Sequence, residues 1–577
     1  MHDEGRGLAS LSIALTGSGG AGVMTAGNML LEAAAQGGWY GLMVRTSGPQ
    51  IRGGEAAALV RLAAEPVDCL GDRFDFVVGV DWQNMHRFAD EIPLDAGSLL
   101  IGDPDQGEPP DVFTQRGARL MHVPFKRMAK AIPGSWPNMI VLGLAGALAG
   151  VSPDTLKSVV RKSYKKGGEG LAASLAAVDA GITALDALPP TPRLISPRHV
   201  AKPRWLISGN QAAGYGAVRG GVRFVAAYPI TPATEVLEWL APALAGVGGT
   251  LVQAEDELAS INMAIGASFG GVPSLTATSG PGLSLMTEAL GLAVAAEVPV
   301  VVVDVMRGGP STGIPAKSEQ SDVNIALNGL HGDAPRIVVA PNSIADCLAA
   351  TQWAVHLSER LQTPAIVLSD QYLGQTRAVV DRPSDVSFIG ERVLAAPSTE
   401  GYKRYAITDS GVSPAAVPGT LGNAHTAEGL EHNERGIPSS QSRDHLAQLA
   451  KRERKLLQHD YGNHWADIHG EGDTAVVTFG SCTGPVREAA ARAAAQGMNV
   501  RTVSMRLLSP AQPELLAKAL EGVKRVLVVE QNQSGQFHRY LRADFDLGGE
   551  ILSLHRPGPL PIRPDEIYRR ITEWSRT

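Results

Sequence analysis

Tyr228-Pro229-Ile230-Thr231-Pro232 closes the apolar run Phe224–Ala227, and two later segments repeat the arrangement. Glu255-Asp256-Glu257 follows Leu251–Gln253, and Arg307-Gly308-Gly309-Pro310-Ser311-Thr312-Gly313 comes soon after Val300–Val303. Short apolar runs alternating with helical stretches are the pattern of a parallel sheet with crossovers. Open parallel sheets bind ligands beyond the carboxyl ends of their strands. The spacing therefore places a turn hydroxyl, an acidic cluster and an arginine along one such edge.

Each segment has a chemical reading beside a plainer one. Pro229 and Pro232 fix φ on either side of Ile230-Thr231 and remove donors. So rigid a turn can present the Thr231 hydroxyl without reorganisation, or it can simply end a strand. Glu255-Asp256-Glu257 opens a helix, where carboxylates gain up to ~1 kcal/mol from the macrodipole. Glu255 and Glu257 lie well apart around that helix, so only one need face a ligand. Gly280-Pro281-Gly282, after Thr276-Ala277-Thr278-Ser279, is a close-approach turn at another strand end. Five donors on Arg307 suit a planar carboxylate, whether a substrate or an ion-pair partner. Lys317, Glu319 and Gln320 read either as a solvated loop or as pocket wall.

At 577 residues, roughly 100–200 residues per domain gives about three or four domains. A hydrophobic content of 44% against 19% charge supports large cores, and the net charge of −7 without basic blocks argues against nucleic acid. Met1 to Ser10 carry His2, Asp3, Glu4 and Arg6 and no apolar core, so no signal peptide is expected. The apolar run Met139–Val151 falls short of the ~20 residues of a membrane span. A cytoplasmic protein is expected. Cys69, Cys347 and Cys482 form no CxxC and cannot supply the thiolates of an iron–sulfur cluster. His425, His432, His445 and His459 have no metal-ligand spacing, so no metal site is expected.

The chain divides at a proline-rich connector, Leu188-Pro189-Pro190-Thr191-Pro192 to Pro203. Before it, strands are expected at Leu11–Leu15, Tyr40–Val44, Phe76–Val80, Ser98–Ile101 and Leu120–Val123. A second α/β unit starts near Trp205. The stretch 384–465 loses periodicity, and a third α/β unit follows. The fold class is α/β, with three doubly wound, mostly parallel-sheet domains. In the first, Gly17-Ser18-Gly19-Gly20-Ala21-Gly22 satisfies GxGxxG between a strand and a helix, where amides can hold a phosphate. The next strand ends in Arg45-Thr46-Ser47-Gly48, with no carboxylate for a ribose, which disfavours dinucleotide binding. An anionic group such as a coenzyme A phosphate remains, as does a tight turn with no ligand. Arg45 and Arg52 are candidate anion partners or solvated cations.

Together these motifs resemble the 2-oxoacid:ferredoxin oxidoreductases, and within them most closely the 2-oxoglutarate-acting α subunits with a γ domain fused at the N-terminus. Nearly the whole chain takes part. Residues 1–187 resemble the γ domain, 188–204 a linker, 205–383 the pyrimidine-binding domain of thiamine enzymes and 466–577 a transketolase C-terminal-like domain, with 384–465 an irregular connection. The resemblance implies thiamine diphosphate, and oxidative decarboxylation of a 2-oxoacid to an acyl-CoA with electrons passed to ferredoxin. Run in reverse, it would fix CO2 onto succinyl-CoA. It implies that Glu257 bonds the aminopyrimidine ring, chosen over Glu255 because relatives carry a glycine nine positions on, here Gly266. Thr231 then lies near substrate and Arg307 takes its carboxylate. Tyr228, Pro229, Ile230, Gly280 and Gly282 shape the cofactor wall, and Thr312 and Lys317 the substrate loop. Relatives often place threonine before that lysine; Ala316 stands here, which leaves the substrate side chain open.

The Gly-Asp-Gly segment with a downstream asparagine pair, and a cysteine set for a cluster, are missing. In this family both belong to the β subunit. The resemblance therefore implies an (αβ)2 assembly in which β brings Mg2+, the diphosphate grip and a [4Fe-4S] cluster, with CoA as co-substrate. Pyruvate or a branched-chain 2-oxoacid is an alternative substrate. A non-catalytic CoA- or nucleotide-binding scaffold is an alternative of another class.

Overall fold

The apolar runs that mark strands in the sequence assemble into three sheets. The computed structural model describes residues 8–48, 54–164, 168–197, 204–385, 388–399 and 401–574, so Arg52 and residues 198–203 of the connector lie outside the described residues. Two compact units are formed, Met1–Ser208 with Thr376–Ser384 and Arg563–Glu566, and Gly209–Gln375 with Asp385–Ile562 and Ile567–Thr577.

In the first unit the central strand is Ser10–Ser18, buried from Leu11 to Gly17. On one side it pairs in parallel with Phe76–Gly79, followed by Leu99–Gly102 and Arg119–His122. On the other it pairs antiparallel with Glu55–Ala63, and that strand with Tyr40–Ser47. Glu55–Ala63 escapes the sequence reading because Ala56, Ala57, Ala58 and Arg61 have weak strand propensity. Pairing on both sides overrides it, and Arg61 is buried with its guanidinium donating to the Cys69 carbonyl at 2.9 Å. Two apolar helices, Pro137–Ala149 and Glu169–Thr183, cross where a Cβ on Gly143 or Gly181 would strike a carbonyl of the other helix.

The expected start of the second unit at residue 205 needs correction. Arg204–Ser208 and Arg377–Asp381 pair antiparallel and complete the first, eight-stranded sheet, next to Tyr40–Ser47. A strand's period says which face is buried but not which sheet it joins.

The second unit holds a seven-stranded sheet in the order Leu507–Ser509, Ile337–Val339, Ala365–Asp370, Val301–Met306, Ser274–Thr278, Phe224–Ala227, Thr250–Gln253. Only the first of these runs antiparallel to its neighbour. A five-stranded sheet follows the order Ala466–His469, Val500–Met505, Thr474–Phe479, Arg525–Glu530, Glu550–His555, parallel but for its first strand. One hydrophobic core unites the two sheets.

Within 384–465 the chain is irregular up to the helix Ser442–Leu457. Ion pairs fasten that helix: Glu297, fully buried, accepts from Lys451 at 2.6 Å and from Lys455 at 3.0 Å. The histidines of this segment serve packing and local bonds. His432 lies against the Tyr405 ring at 3.8 Å, and His445 pairs with Glu431 at 2.7 Å.

Candidate functional site

Strand order breaks at Phe224–Ala227, which has Thr250–Gln253 on one side and Ser274–Thr278 on the other. At such a switch point the connections diverge to opposite faces and open a crevice. Tyr228-Pro229-Ile230-Thr231-Pro232 lies at that crevice, with the Tyr228 ring exposed and a cis peptide before Pro232. Buried Asn210 donates to the Pro232 carbonyl at 2.9 Å, and Arg307 to the Thr231 carbonyl at 2.5 Å. The turn is held through its carbonyls.

Asp256 sets the start of the helix Glu257–Phe269, its carboxylate accepting the Ala259 N–H at 2.7 Å. That cap leaves Glu255 exposed and turns Glu257 inward, where it is 7% exposed. Glu257 packs under the glycine turn. A Cβ on Gly282 would lie 2.7 Å from Glu257 Cγ and 2.9 Å from its Oε1, and closer still to the Thr278 hydroxyl. Glycine is required there. Gly266, by contrast, has nothing within 4 Å of a built Cβ, so burial separates the two glutamates and the spacing to Gly266 has no structural counterpart within this chain.

Arg307 leaves the end of Val301–Met306 and is 6% exposed. Its Nε has no hydrogen-bond partner among the described residues. Burial pulls its pKa below the ordinary arginine value, against the pull of nearby Asp322. An orphaned donor on a buried guanidinium fits an incoming carboxylate. The loop beyond is closed by its own backbone: Ile314 N–H donates to Gly308 at 2.8 Å and Gly308 N–H to Lys317 at 3.1 Å. Gly313 (φ 57°) sits where a Cβ would strike the Gly308 carbonyl. Thr312 is exposed at the tip and Lys317 half-buried at the base. Thr231, Glu257, Gly280, Gly282 and Arg307 thus share one sheet edge, while Thr312 is exposed at the loop tip. Sequence reading missed two carboxyls beneath Arg307, Asp304 and Asp322; an aspartate inside Val301-Val302-Val303-Asp304-Val305 was the available signal.

Residues 12–184 match the family described as pyruvate ferredoxin/flavodoxin oxidoreductase, and 215–452 its thiamine diphosphate-binding part. Residues 464–537 match the transketolase C-terminal domain. The 2-oxoglutarate synthase subunit KorA of Methanothermobacter marburgensis is 35% identical over 375 residues, 64% of this chain and 98% of that one. The chain belongs to the 2-oxoacid:ferredoxin oxidoreductase family. In this oxidoreductase subunit a γ-type and an α-type domain are fused. The 2-oxoglutarate oxidoreductase subunit KorA of Mycobacterium tuberculosis is 33% identical over 455 residues, 75% of this chain and 67% of that one. The structure of 2-oxoglutarate:ferredoxin oxidoreductase from Magnetococcus marinus, with 2-oxoglutarate, coenzyme A and succinyl-CoA bound, superposes with a TM-score of 0.91. It is 38% identical and covers 98% of this chain and 99% of that one.

The γ-type domain of the oxidoreductase subunit has its own cavity, of about 1020 Å³, lined by Ser18, Gly20, Gly22, Lys126, Lys130 and Tyr164 among others. Gly20 (φ 96°) and Gly22 (φ 78°) need the left-handed region, and a Cβ on Gly22 would collide with Asn138. The strand runs on through Ser18, whose amide and hydroxyl are taken by the Asp81 carboxylate at 3.0 and 2.7 Å. An acid thus occupies the first donors expected for a phosphate. Exposed Lys126 and Lys130 bring positive charge, which no motif flagged. Arg45 lies exposed on Tyr40–Ser47; Gly17 belongs to the strand, paired with Ala56, and Gly19 lies in the turn that follows it.

Proposed function

We propose that this chain is the γα-fused α subunit of a 2-oxoglutarate:ferredoxin oxidoreductase, interconverting 2-oxoglutarate, CoA and oxidised ferredoxin with succinyl-CoA, CO2 and reduced ferredoxin. The observation that carries the reading is the joint placement of buried Glu257 under Gly282 and of Arg307 with an uncommitted donor on one edge. Gly282, lacking a Cβ, lets the Glu257 carboxyl pack against the strand-end turn, and a carboxyl held there is what the aminopyrimidine of thiamine diphosphate would need. That cofactor would supply the carbon nucleophile and electron sink for decarboxylation. Glu257 would bond its aminopyrimidine and hold or move a proton at a carboxyl oxygen. Arg307 would take the substrate carboxylate, a charge-assisted bond worth about 1.5–3 kcal/mol, and Thr231, its carbonyl fixed by Arg307, is assigned to the same site. Lys317 at the loop base is assigned to the far end of the substrate, with Thr312 reaching it only if the loop folds in.

The Mg2+, the diphosphate grip and the [4Fe-4S] cluster are assigned to a β subunit, in an (αβ)2 heterotetramer. Support comes from the three cysteines here, which are buried and remote from one another in sequence. Apolar side chains exposed around the site, Tyr228, Leu258, Met263 and Leu285, give that subunit a surface to cover. CoA is assigned to the γ-type cavity, its phosphates drawn by Lys126 and Lys130. The site of action is assigned to the cytoplasm.

The test is purification with the β partner and 2-oxoacid-dependent reduction of a dye. Turnover with 2-oxoglutarate, thiamine diphosphate and CoA supports the reading. Preference for pyruvate or a branched-chain acid would move it within the family, and a complex that binds CoA without turnover would make the chain a scaffold.

A further inference from the structure

Val301–Met306 is buried along its whole length and paired on both sides, by Ser274–Thr278 and by Ala365–Asp370. In the middle of it stands Asp304, fully buried, in register with Thr278 and Leu368. A valine would satisfy packing there at no desolvation cost. Neither Asp304 oxygen meets a donor among the described residues; the group within hydrogen-bonding range is Asp322, another carboxyl. Two carboxyls can bond only if a proton lies between them.

Asp322 is set against the site on its remaining sides. Its Oδ1 accepts from the Ser321 hydroxyl at 3.2 Å, and the same hydroxyl lies 2.7 Å from the Arg307 carbonyl. A Cβ on Gly280 would fall 2.5 Å from Oδ1 and 2.7 Å from Oδ2, so the glycine turn rests directly on the carboxyl. The charged groups in range are Asp304 from the strand, Glu319 from the preceding loop and Arg307.

We infer that Asp322 is a positioning residue for Arg307, acting as one half of a carboxyl pair with Asp304 that shares a single proton. The inference rests on the assignment of Arg307 to the substrate carboxylate. A buried guanidinium needs a counter-charge before substrate arrives. Two ionised carboxylates would over-neutralise it and repel an anionic 2-oxoacid. One proton held by Asp304 keeps the pair at a single negative charge, with that charge on Asp322. Burial raises both carboxyls, Asp304 well above the usual aspartate range and Asp322 to about 6, where Glu319 raises it further and Ser321, Asp304 and Arg307 oppose. Asp304, fully buried and without a donor among the described residues, is the partner that keeps its proton, while Asp322 has the Ser321 hydroxyl and Arg307 beside it. As pH falls through about 6, Asp322 takes up a proton and Arg307 loses its anion.

The test uses the full chain assembled with its β partner. Infrared spectroscopy of the wild-type complex is expected to show a buried protonated carboxyl at neutral pH that disappears in Asp304→Asn. Because an amide still donates to Asp322, Asp304→Asn keeps the acid limb of kcat/KM for 2-oxoglutarate in place. Asp304→Leu strips the donor and moves that limb up by about one pH unit. Asp322→Asn abolishes the limb and raises KM about tenfold, more than it lowers kcat. No protonated carboxyl in the wild-type complex overturns the shared proton. An acid limb that ignores both Asp304→Leu and Asp322→Asn overturns the positioning role. Arg307→Lys with an unchanged KM sinks the underlying assignment of Arg307 instead, and with it the role of Asp322, while the infrared result stands by itself.

Discussion

Glu255 and Glu257 sit two residues apart at one helix start, and the Asp256 cap decides which of them turns inward. Exposed carboxylates at a helix N-terminus are worth fractions of a kcal/mol, whereas a buried one beside a ring can exchange a proton with it. Glu257→Gln is therefore expected to cut turnover by about 10²–10⁴-fold, with Glu255→Gln nearly silent, read by steady-state dye reduction. Gly282→Ala would push a methyl into Thr278 and Glu257. It should impair activity with a loss of roughly 1–3 kcal/mol in stability, read by denaturant titration. At this scale the sequence offered Thr231, Glu257 and Arg307 through their motifs. It left the glutamates to be told apart by burial, and it showed Asp304 only as an aspartate inside an apolar run, since its meeting with Asp322, 18 positions away, comes about only once strand and loop have folded. Asp81 is a parallel case: nothing local shows that it will take the Ser18 amide.

Among elements, the helix Ser442–Leu457 explains how an irregular segment stays ordered. Burial works against ionisation of Glu297, yet Lys455, Lys451 and Arg404 outweigh it and hold its carboxyl well below the usual glutamate range. Lys451 is itself pushed down to about 8, chiefly by burial. Glu297→Gln leaves two buried ammonium groups without their partner and should cost about 3–5 kcal/mol, measured by urea unfolding. The sign with pH follows from the depressed carboxyl: its stabilisation is fully present above the unfolded glutamate pKa and is lost as pH falls below it. The urea midpoint of the wild-type chain should therefore drop more steeply on acidification than that of Glu297→Gln. None of this was visible from periodicity, since Glu297 and Lys451 are 154 residues apart. The parallel strands, in contrast, were legible as unbroken apolar runs buried on both faces.

At the scale of the molecule, the three domains could be read from the sequence because each carries its own strand–helix alternation. The placement of Arg204–Ser208 and Arg377–Asp381 in the first sheet could not, since edge pairing is decided by neighbours far away in the chain. The same logic extends to the proposed assembly, in which this chain supplies Glu257, Thr231 and Arg307 and a β partner the metal grip and the cluster. The most direct measurement mixes the purified chain with its β partner and follows 2-oxoglutarate-dependent electron transfer with and without thiamine diphosphate. The account predicts turnover only from the mixture, only with the cofactor, and its collapse in a Glu257→Gln complex that still assembles. Turnover by this chain alone, or at the wild-type rate by the Glu257→Gln complex, would contradict it.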